Sequence, residues 1–487
     1  MMPSASSGPR TDTGMTPAPA SGAAPASSLY RRVWRWHFFA GLLCLPFIFL
    51  LALTGAIYLF NGQIDDVVYG DLLLRPAAAS ASAAAAASAD SLPAGELVER
   101  ALRAEPGVAR ALQWPLDARH AVQVDVLQGG AVRQVFLDPA SGALLGSMAE
   151  ADRLMPLVKR IHSLTVAGTA GNALIEIVAG WVIVLVLTGA YLWWPRGRKA
   201  GVVSIRPQAS GRVWWRDLHA VTGAFAAVVI LFLALTGMPW SLVWGGQVNS
   251  WLTANGLGTP DGVWSNIPRS TVPLSSLGQV SWSLERQALP ASTPPSHHGH
   301  EMAAHDGPAA PGAIGIDQAV AAIAAAGLRD GYRLGLPNGA EGVYSAVRLR
   351  SAQASQRVIH VDQYSGKVLM DLGPEDVGAV AKVTDWGVSV HQGVEYGLPN
   401  QLLMLAGCLA AMLLCVSGVV LWWKRRPAGK LAAPPRKDGD RLAMGVVLIA
   451  VCVGLVFPPL GASMAVAAIA ETIWRRWQQR SARPSAA

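Results

Sequence analysis

Long unbroken apolar runs dominate the chain. Four of them, Phe38–Phe60, Asn172–Trp194, Leu218–Trp240 and Gln401–Trp423, carry almost no charge. Each has the roughly 20 residues that a helix needs to cross the hydrocarbon core of a bilayer. A fifth stretch, Leu442–Trp474, is interrupted by Pro458-Pro459 and has basic residues at both ends. A hairpin over 441–475 that returns to the side it left fits this better than a single crossing. Between the runs the pattern changes. Ala94–Ala104 reads as a helix, and Val122, Val124 and Val126 alternate through Ala121–Leu127 as in a half-buried strand. A second strand, Arg133–Leu137, ends in the turn Asp138-Pro-Ala-Ser-Gly142. The later interval repeats the plan: a helix over Ile316–Ala326, a strand presenting Val343, Val347 and Leu349, then Arg357–Val361 closing on Asp362-Gln-Tyr-Ser-Gly366. The expected fold is an α-helical polytopic membrane protein with two α+β modules between its spans.

The expected order is a Pro/Ala/Ser/Gly-rich disordered tail over 1–29, a first span over 30–61 and a first module over 62–160. A second span covers 161–195, a loop 196–217 and a third span 218–240. The second module covers 241–390, the fourth span 391–424 and another loop 425–440; a basic tail over 476–487 follows the hairpin. Ala77–Ala89 reads as a linker. The first span is too long for a signal-peptide core and is expected to remain as an anchor.

Charge gives the orientation. The net charge is +8, yet the basic residues gather at particular span ends: Arg31, Arg32 and Arg35; Arg196, Arg198 and Lys199; Arg212 and Arg216; Lys424, Arg425 and Arg426; Arg475 and Arg476. That is the cytoplasmic bias of membrane proteins and not a nucleic-acid footprint. It places the N-terminus in the cytoplasm and both modules outside. The paired tryptophans at these ends are accounted for by an interfacial belt. Cys44, Cys408, Cys415 and Cys452 all lie in apolar runs, so no disulfide framework is expected.

A hidden duplication carries the chemistry. His37 and His219 are each followed four residues later by glycine (Gly41, Gly223), and then by Thr54-Gly55 and Thr236-Gly237. His162 and His391 are each followed by glycine (Gly168, Gly397), by Thr188-Gly189 and Ser417-Gly418, and by Trp193-Trp194 and Trp422-Trp423. A single histidine at a membrane interface is commonly a water-satisfied side chain. Four at matched positions point to function. Neutral imidazole is a good axial ligand for haem iron, and Gly41 and Gly223 lie one turn along the same helix face, where they would leave room for a flat macrocycle. The topology pairs His37 with His219 near the cytoplasmic face and His162 with His391 near the outer face. On a continuous helix His162 would lie about 46 Å from Trp193. The glycines at 168–171 and Gly397-Leu-Pro399 therefore predict a break that folds His162 and His391 back toward the core.

Two other features stand out. His297, His298, His300 and His305 form a His-rich, Pro-flanked segment. It reads either as a candidate site for zinc, copper or ferric iron or as a polar loop with incidental metal affinity. Glu176 is a carboxylate inside the second span, with no acidic counterpart in the repeat, and is either functional or locally paired. Trp240, Trp244 and Trp251 suggest an interfacial helix or a contact near the site.

The run Arg160-Ile-His162-Ser-Leu followed by Thr188-Gly-Ala-Tyr-Leu-Trp-Trp-Pro-Arg196 resembles the second span of the PepSY-associated transmembrane family. Arg216-Asp-Leu-His219-Ala-Val-Thr-Gly223 resembles its third. His391-Gln-Gly-Val-Glu-Tyr-Gly397 through Trp422-Trp-Lys-Arg-Arg426 resembles its fourth, and the α+β modules are similar to PepSY domains. The resemblance implies a bacterial inner-membrane protein with two bis-histidine b-type haems, acting as a ferric-siderophore reductase. Its substrate would be a ferric siderophore or another periplasmic ferric chelate. The chain shows no dinucleotide or flavin motif, so a quinol or a cytoplasmic reductase would supply the electron. Catalytic residues beyond the histidines are unknown. Two other readings stay open: a membrane-anchored PepSY regulator of peptidases, and a periplasmic metal-binding or transport protein centred on the His-rich segment.

Overall fold

The computed structural model describes residues 28–76, 91–115, 117–195, 201–255, 257, 268–278, 280–294, 312–348, 352–426 and 444–481. The four histidines of the His-rich segment lie outside the described residues, as do the tail before residue 28, Ala77–Ala89, Arg196, Arg198, Lys199 and Leu349.

The first long helix, α1 (Ser28–Leu59), runs through Pro46 without interruption, as membrane helices tolerate. Two short helices, α2 (Asn61–Val68) and α3 (Gly70–Leu73), lead to α4 (Ala94–Ala104) and strands β1 (Val108–Gln113), β2 (Val122–Gln128), β3 (Ala131–Leu137) and β4 (Leu144–Ala149). The chain returns through α5 (Leu154–His162) to α6 (Gly168–Trp193), then α7 (Gly211–Gly237). After α8 (Trp244–Ala254) come a hairpin, β5 (Arg269–Pro273) and β6 (Ala288–Pro290), then α9 (Ile316–Ala325) and strands β7 (Tyr332–Gly335), β8 (Val343–Arg348), β9 (Val358–Asp362) and β10 (Val368–Leu372). Last are α10 (Ala379–His391), α11 (Leu398–Trp423) and a helix pair, α12 (Met444–Val456) and α13 (Pro458–Ser481).

Four segments are long and apolar enough to cross a membrane: Leu29–Leu59, Thr165–Trp193, Gly211–Trp240 and Leu398–Trp423. They form a ring in which α1 packs on α11, α11 on α7, α7 on α6 and α6 on α1. Helix α1 is therefore diagonal to α7, and α6 to α11. Small residues allow the close approach: a Cβ on Gly407 of α11 would lie 2.6 Å from Val229 Cγ1 on α7.

Outside the bundle the two intervals do not fold as separate modules. Their strands join in one antiparallel sheet of order β10-β9-β8-β7-β1-β2-β3-β4. The seam is β1 against β7, with Ala111, Leu112 and Gln113 opposite Gly335, Leu334 and Arg333. Each is the first strand of its own set of four and would otherwise present an open edge; pairing them removes both edges at once. Helices α4 and α9 cover one face. There Leu97, Leu112, Val124, Leu137, Ile323, Leu334 and Ile359 are fully buried, each contributing roughly 1.5–3 kcal/mol. The alternation that puts Val122, Val124 and Val126 on this face sends Gln123 and Asp125 to the other, where they are buried as well. Asp125 accepts a hydrogen bond from Gln123 Nε2 at 2.7 Å and pairs with Arg333. Both expected turns form in the same way. Asp138 Oδ1 accepts the Ala140 and Ser141 amides, each at 2.9 Å, and Asp362 Oδ2 accepts the Ser365 amide at 2.6 Å.

Ion pairs help to hold the sheet to the connector that follows α1. Arg75 Nε donates to Asp138 Oδ2 at 2.7 Å, Arg153 Nη2 to Asp65 Oδ2 at 2.5 Å, and His120 Nε2 meets Asp66 Oδ1 at 3.0 Å. At the other end, α12 and α13 reverse at Phe457-Pro458 so sharply that Gly454 and Gly461 touch backbone to backbone. The pair leans on α6, with Leu460 against Gly180 and Trp181 Nε1 donating to Ser463 Oγ at 3.0 Å.

Candidate functional site

The four duplicated histidines all take part in the same contact. Each imidazole presents Nδ1 to the hydroxyl of a Thr/Ser-Gly pair on a different helix. His37 of α1 meets Thr188 Oγ1 of α6 at 2.9 Å, and His219 of α7 meets Ser417 Oγ of α11 at 2.8 Å. His162, the last residue of α5, meets Thr54 Oγ1 of α1 at 2.9 Å, and His391, the last residue of α10, meets Thr236 Oγ1 of α7 at 2.9 Å. The glycine after each hydroxyl receives the ring. A Cβ there would lie 3.3 Å from His37 Cε1 at Gly189, 3.4 Å from His162 Cε1 at Gly55, 3.6 Å from His391 Cε1 at Gly237 and 3.9 Å from His219 Cε1 at Gly418.

The expected break is present at both places and puts His162 and His391 on the bundle. After His162 the backbone turns left-handed at Leu164 (φ 52°), and α6 starts at Gly168 with φ +69°. Gly171 is required here, because a Cβ would sit 2.1 Å from the Leu164 carbonyl oxygen. After His391, Gly393 (φ +75°) and Gly397 (φ +61°) reverse the chain ahead of Pro399. The two levels are then separated by the His37–Thr54 interval of α1, about 26 Å at about 1.5 Å per residue, and not by the about 46 Å of a continuous helix.

The imidazoles lie near one another across the diagonals of the ring of helices. His219 lies close enough to His37, and His162 to His391, for a charge on one ring to act on the other. All four imidazoles are half-buried. Among the described residues no group of three or more His, Cys, Asp or Glu side chains could hold a metal ion. Gly41 and Gly223 sit where helices meet: a Cβ on Gly41 would lie 3.8 Å from Leu185 Cδ2, and one on Gly223 3.6 Å from Leu414 Cδ2. Leu185 and Leu414 stand three residues before Thr188 and Ser417, so both glycines face the turn that receives the imidazole.

A family model described as the PepSY-associated TM region matches residues 34–425. The chain belongs to the PepSY-associated transmembrane family. No curated protein matches it. The family match takes in all four spans, both sets of strands and every histidine of the site, and it stops before the α12–α13 pair. This PepSY-associated transmembrane protein is a multi-pass membrane protein carrying a large antiparallel sheet.

Glu176 is locally paired. Its two carboxylate oxygens accept the backbone amides of Val243 at 2.8 Å and Trp244 at 2.9 Å, at the start of α8. A carboxylate there also complements the positive end of the helix. Trp244 in turn stacks on Phe457 at the α12–α13 reversal, with centroids 5.6 Å apart, while Trp251 stays exposed. Glu176→Leu is expected to leave two part-buried amides without their acceptor and to release α8. Hydrogen exchange at residues 243–254 would then rise, and an unchanged exchange profile would refute this anchoring role. The hydroxyls of Thr54, Thr188, Thr236 and Ser417 are the site residues the sequence reading passed over. Their signal was present, since each stands at a matched offset in the duplication.

Proposed function

We propose that this PepSY-associated transmembrane protein is a haem-carrying electron-transfer protein of the bacterial inner membrane. It passes electrons to a ferric chelate, such as a ferric siderophore, on the periplasmic side. The observation that supports this most is the fourfold Nδ1–hydroxyl contact. An imidazole whose Nδ1 is held by the protein keeps Nε2 as its ligand atom, and a hydrogen-bonded second nitrogen is the usual companion of an iron-bound histidine. His37 with His219, and His162 with His391, would hold one b-type haem each. Haem held by these imidazoles would supply one-electron exchange at its iron.

The chain's own residues supply the rest. Basic side chains at Arg31, Arg32, Arg35, Arg212, Arg216 and Lys424–Arg426 favour a cytoplasmic location for the end of the bundle that carries His37 and His219. The sheet and the pair His162–His391 then lie on the periplasmic side. There a chelated ferric ion would take up one electron and be released as ferrous iron, which oxygen-donor chelators hold more weakly. The electron would enter near His37 and His219 from a quinol or a cytoplasmic reductase. The two strand sets, α4 with β1–β4 and α9 with β7–β10, are read here as duplicated PepSY modules that shape the surface above the outer histidines.

The test is an optical spectrum of detergent-purified protein, oxidised and then dithionite-reduced, with a pyridine haemochrome count. Sharp reduced α and Soret bands with two haems per chain are expected. Protein made with ample haem supply that carries none would end this reading, and a single haem would refute the pairing.

A further inference from the structure

We infer that Thr54, Thr188, Thr236 and Ser417 are positioning residues that fix the tautomer of the four imidazoles and tune them as ligands. The inference rests on the haem reading above and adds to it the group that acts on each ligand from behind. Hydroxyl geometry decides the direction of the bond. Each hydroxyl has one hydrogen, and in each case a backbone carbonyl of its own helix receives it. Thr54 donates to Leu50 O at 2.6 Å, Thr188 to Val184 O at 2.7 Å, Thr236 to Phe232 O at 2.6 Å and Ser417 to Leu414 O at 3.1 Å. With that hydrogen engaged, the oxygen can only accept from the imidazole. Nδ1 therefore carries the proton in all four rings, and Nε2 carries the lone pair.

Helix back-bonding by threonine is common in membrane spans, and alone it would imply nothing about a ligand. What distinguishes these four is the glycine that follows each hydroxyl. It opens the space the ring edge occupies, with Cε1 3.3–3.9 Å from where a Cβ would stand. The hydroxyl and the glycine thus act as one seat. The first accepts the Nδ1 hydrogen; the second admits the carbon between the two nitrogens, so that Nε2 projects beyond the helix. A hydrogen bond donated by Nδ1–H makes the imidazole a stronger electron-pair donor at Nε2 and favours ferric iron over ferrous. The outer pair is seated by two threonines and the inner pair by one threonine and one serine, so the two sites are not chemically identical.

Thr54→Val keeps the side-chain shape and removes the acceptor. Potentiometric titration of the purified variant should show the outer site's midpoint moved to higher potential, with the inner site unmoved. Transfer of haem from the outer site to apomyoglobin should speed up about 10-fold or more. Thr54→Ser, which restores the hydroxyl, should return both readouts to wild type. A midpoint and transfer rate that do not change in Thr54→Val would overturn the inference. So would changes of equal size in Thr54→Ser, which would show that only packing matters. Should Thr54→Val not fold, Ser417→Ala is read against the inner site by the same criteria, with Ser417→Thr as the restoring variant. A wild type without haem overturns the proposed function and this inference together; haem-bearing wild type with unmoved variants overturns only the inference.

Discussion

On the proposed two-haem reading, protein carrying His162→Ala is expected to hold one haem instead of two, and His37→Ala to do the same at the other level. The expectation follows from how each ring is held. His162 enters the bundle only through the reversal at Leu164–Gly171 and its contact with Thr54. No other histidine of α5 or α6 stands near to replace it. Its partner His391 has its own seat at Thr236 and keeps it, but one imidazole alone does not make a bis-histidine site. The inner pair lies about 26 Å away along α1, beyond the range at which stability effects of separate sites usually couple. Each single variant should therefore lose about half of the pyridine haemochrome signal, and His37→Ala/His162→Ala should lose all of it. In vesicles, either single variant should stop reduction of an external ferric chelate, while the remaining signal stays reducible by dithionite. Loss of both haems in one single variant would mean that the pairs are not independent.

Asp138→Ala is expected to cost about 3–5 kcal/mol, enough to lower the unfolding temperature by on the order of 10 °C. Arg75 and Asp138 are a deeply buried ion pair, with side chains only 4% and 5% exposed. Removing the carboxylate leaves a guanidinium enclosed without its counter-charge, which is the costly way to break such a pair. The same carboxylate organises the turn after β3 by accepting the Ala140 and Ser141 amides. Asp138→Asn can keep those two bonds through Oδ1, but its Nδ2 donor then faces Arg75 Nε in place of the accepting oxygen, so it loses the charge and the Arg75 hydrogen bond and should fall between wild type and Asp138→Ala. Because Arg75 belongs to the connector after α1, the loss should appear as early melting of the sheet while the bundle stays helical. Circular dichroism melts of the three proteins would check the order, and an Asp138→Ala melt matching wild type would show that the pair contributes nothing.

The membrane helices and the histidine positions were legible because both follow from composition and spacing along a single helix. The break at Gly168–Gly171 was legible for a related reason: a 46 Å separation, at about 1.5 Å per residue, made a continuous helix chemically awkward. What each ring touches was not legible. Thr54-Gly55 and Thr188-Gly189 were visible as repeat markers, but spacing within a helix does not say which neighbour it faces, and the two helices exchange partners across the ring. Glu176 shows the same limit, since it binds amides 67 and 68 positions away, with no side-chain pattern to announce them. The seam between β1 and β7 was hidden because neither strand is strongly patterned. Val108–Gln113 has only two buried positions, and Tyr332–Gly335 is four residues long.

That seam sets a schedule for making the protein. Strand β1 leaves the ribosome roughly 220 residues before β7, which at ~5–20 residues per second is a delay on the order of 10–45 s. Through that interval the first four strands wait with one edge of β1 unfilled, while α6 and α7 are still being inserted. An open strand edge is a template for unwanted pairing. The polypeptide thus has a vulnerable half-built stage lasting until the second set of strands arrives. A ribosome stalled between α7 and β7 would hold it there, and chains stalled at that point should be the ones that chaperones and proteases engage most.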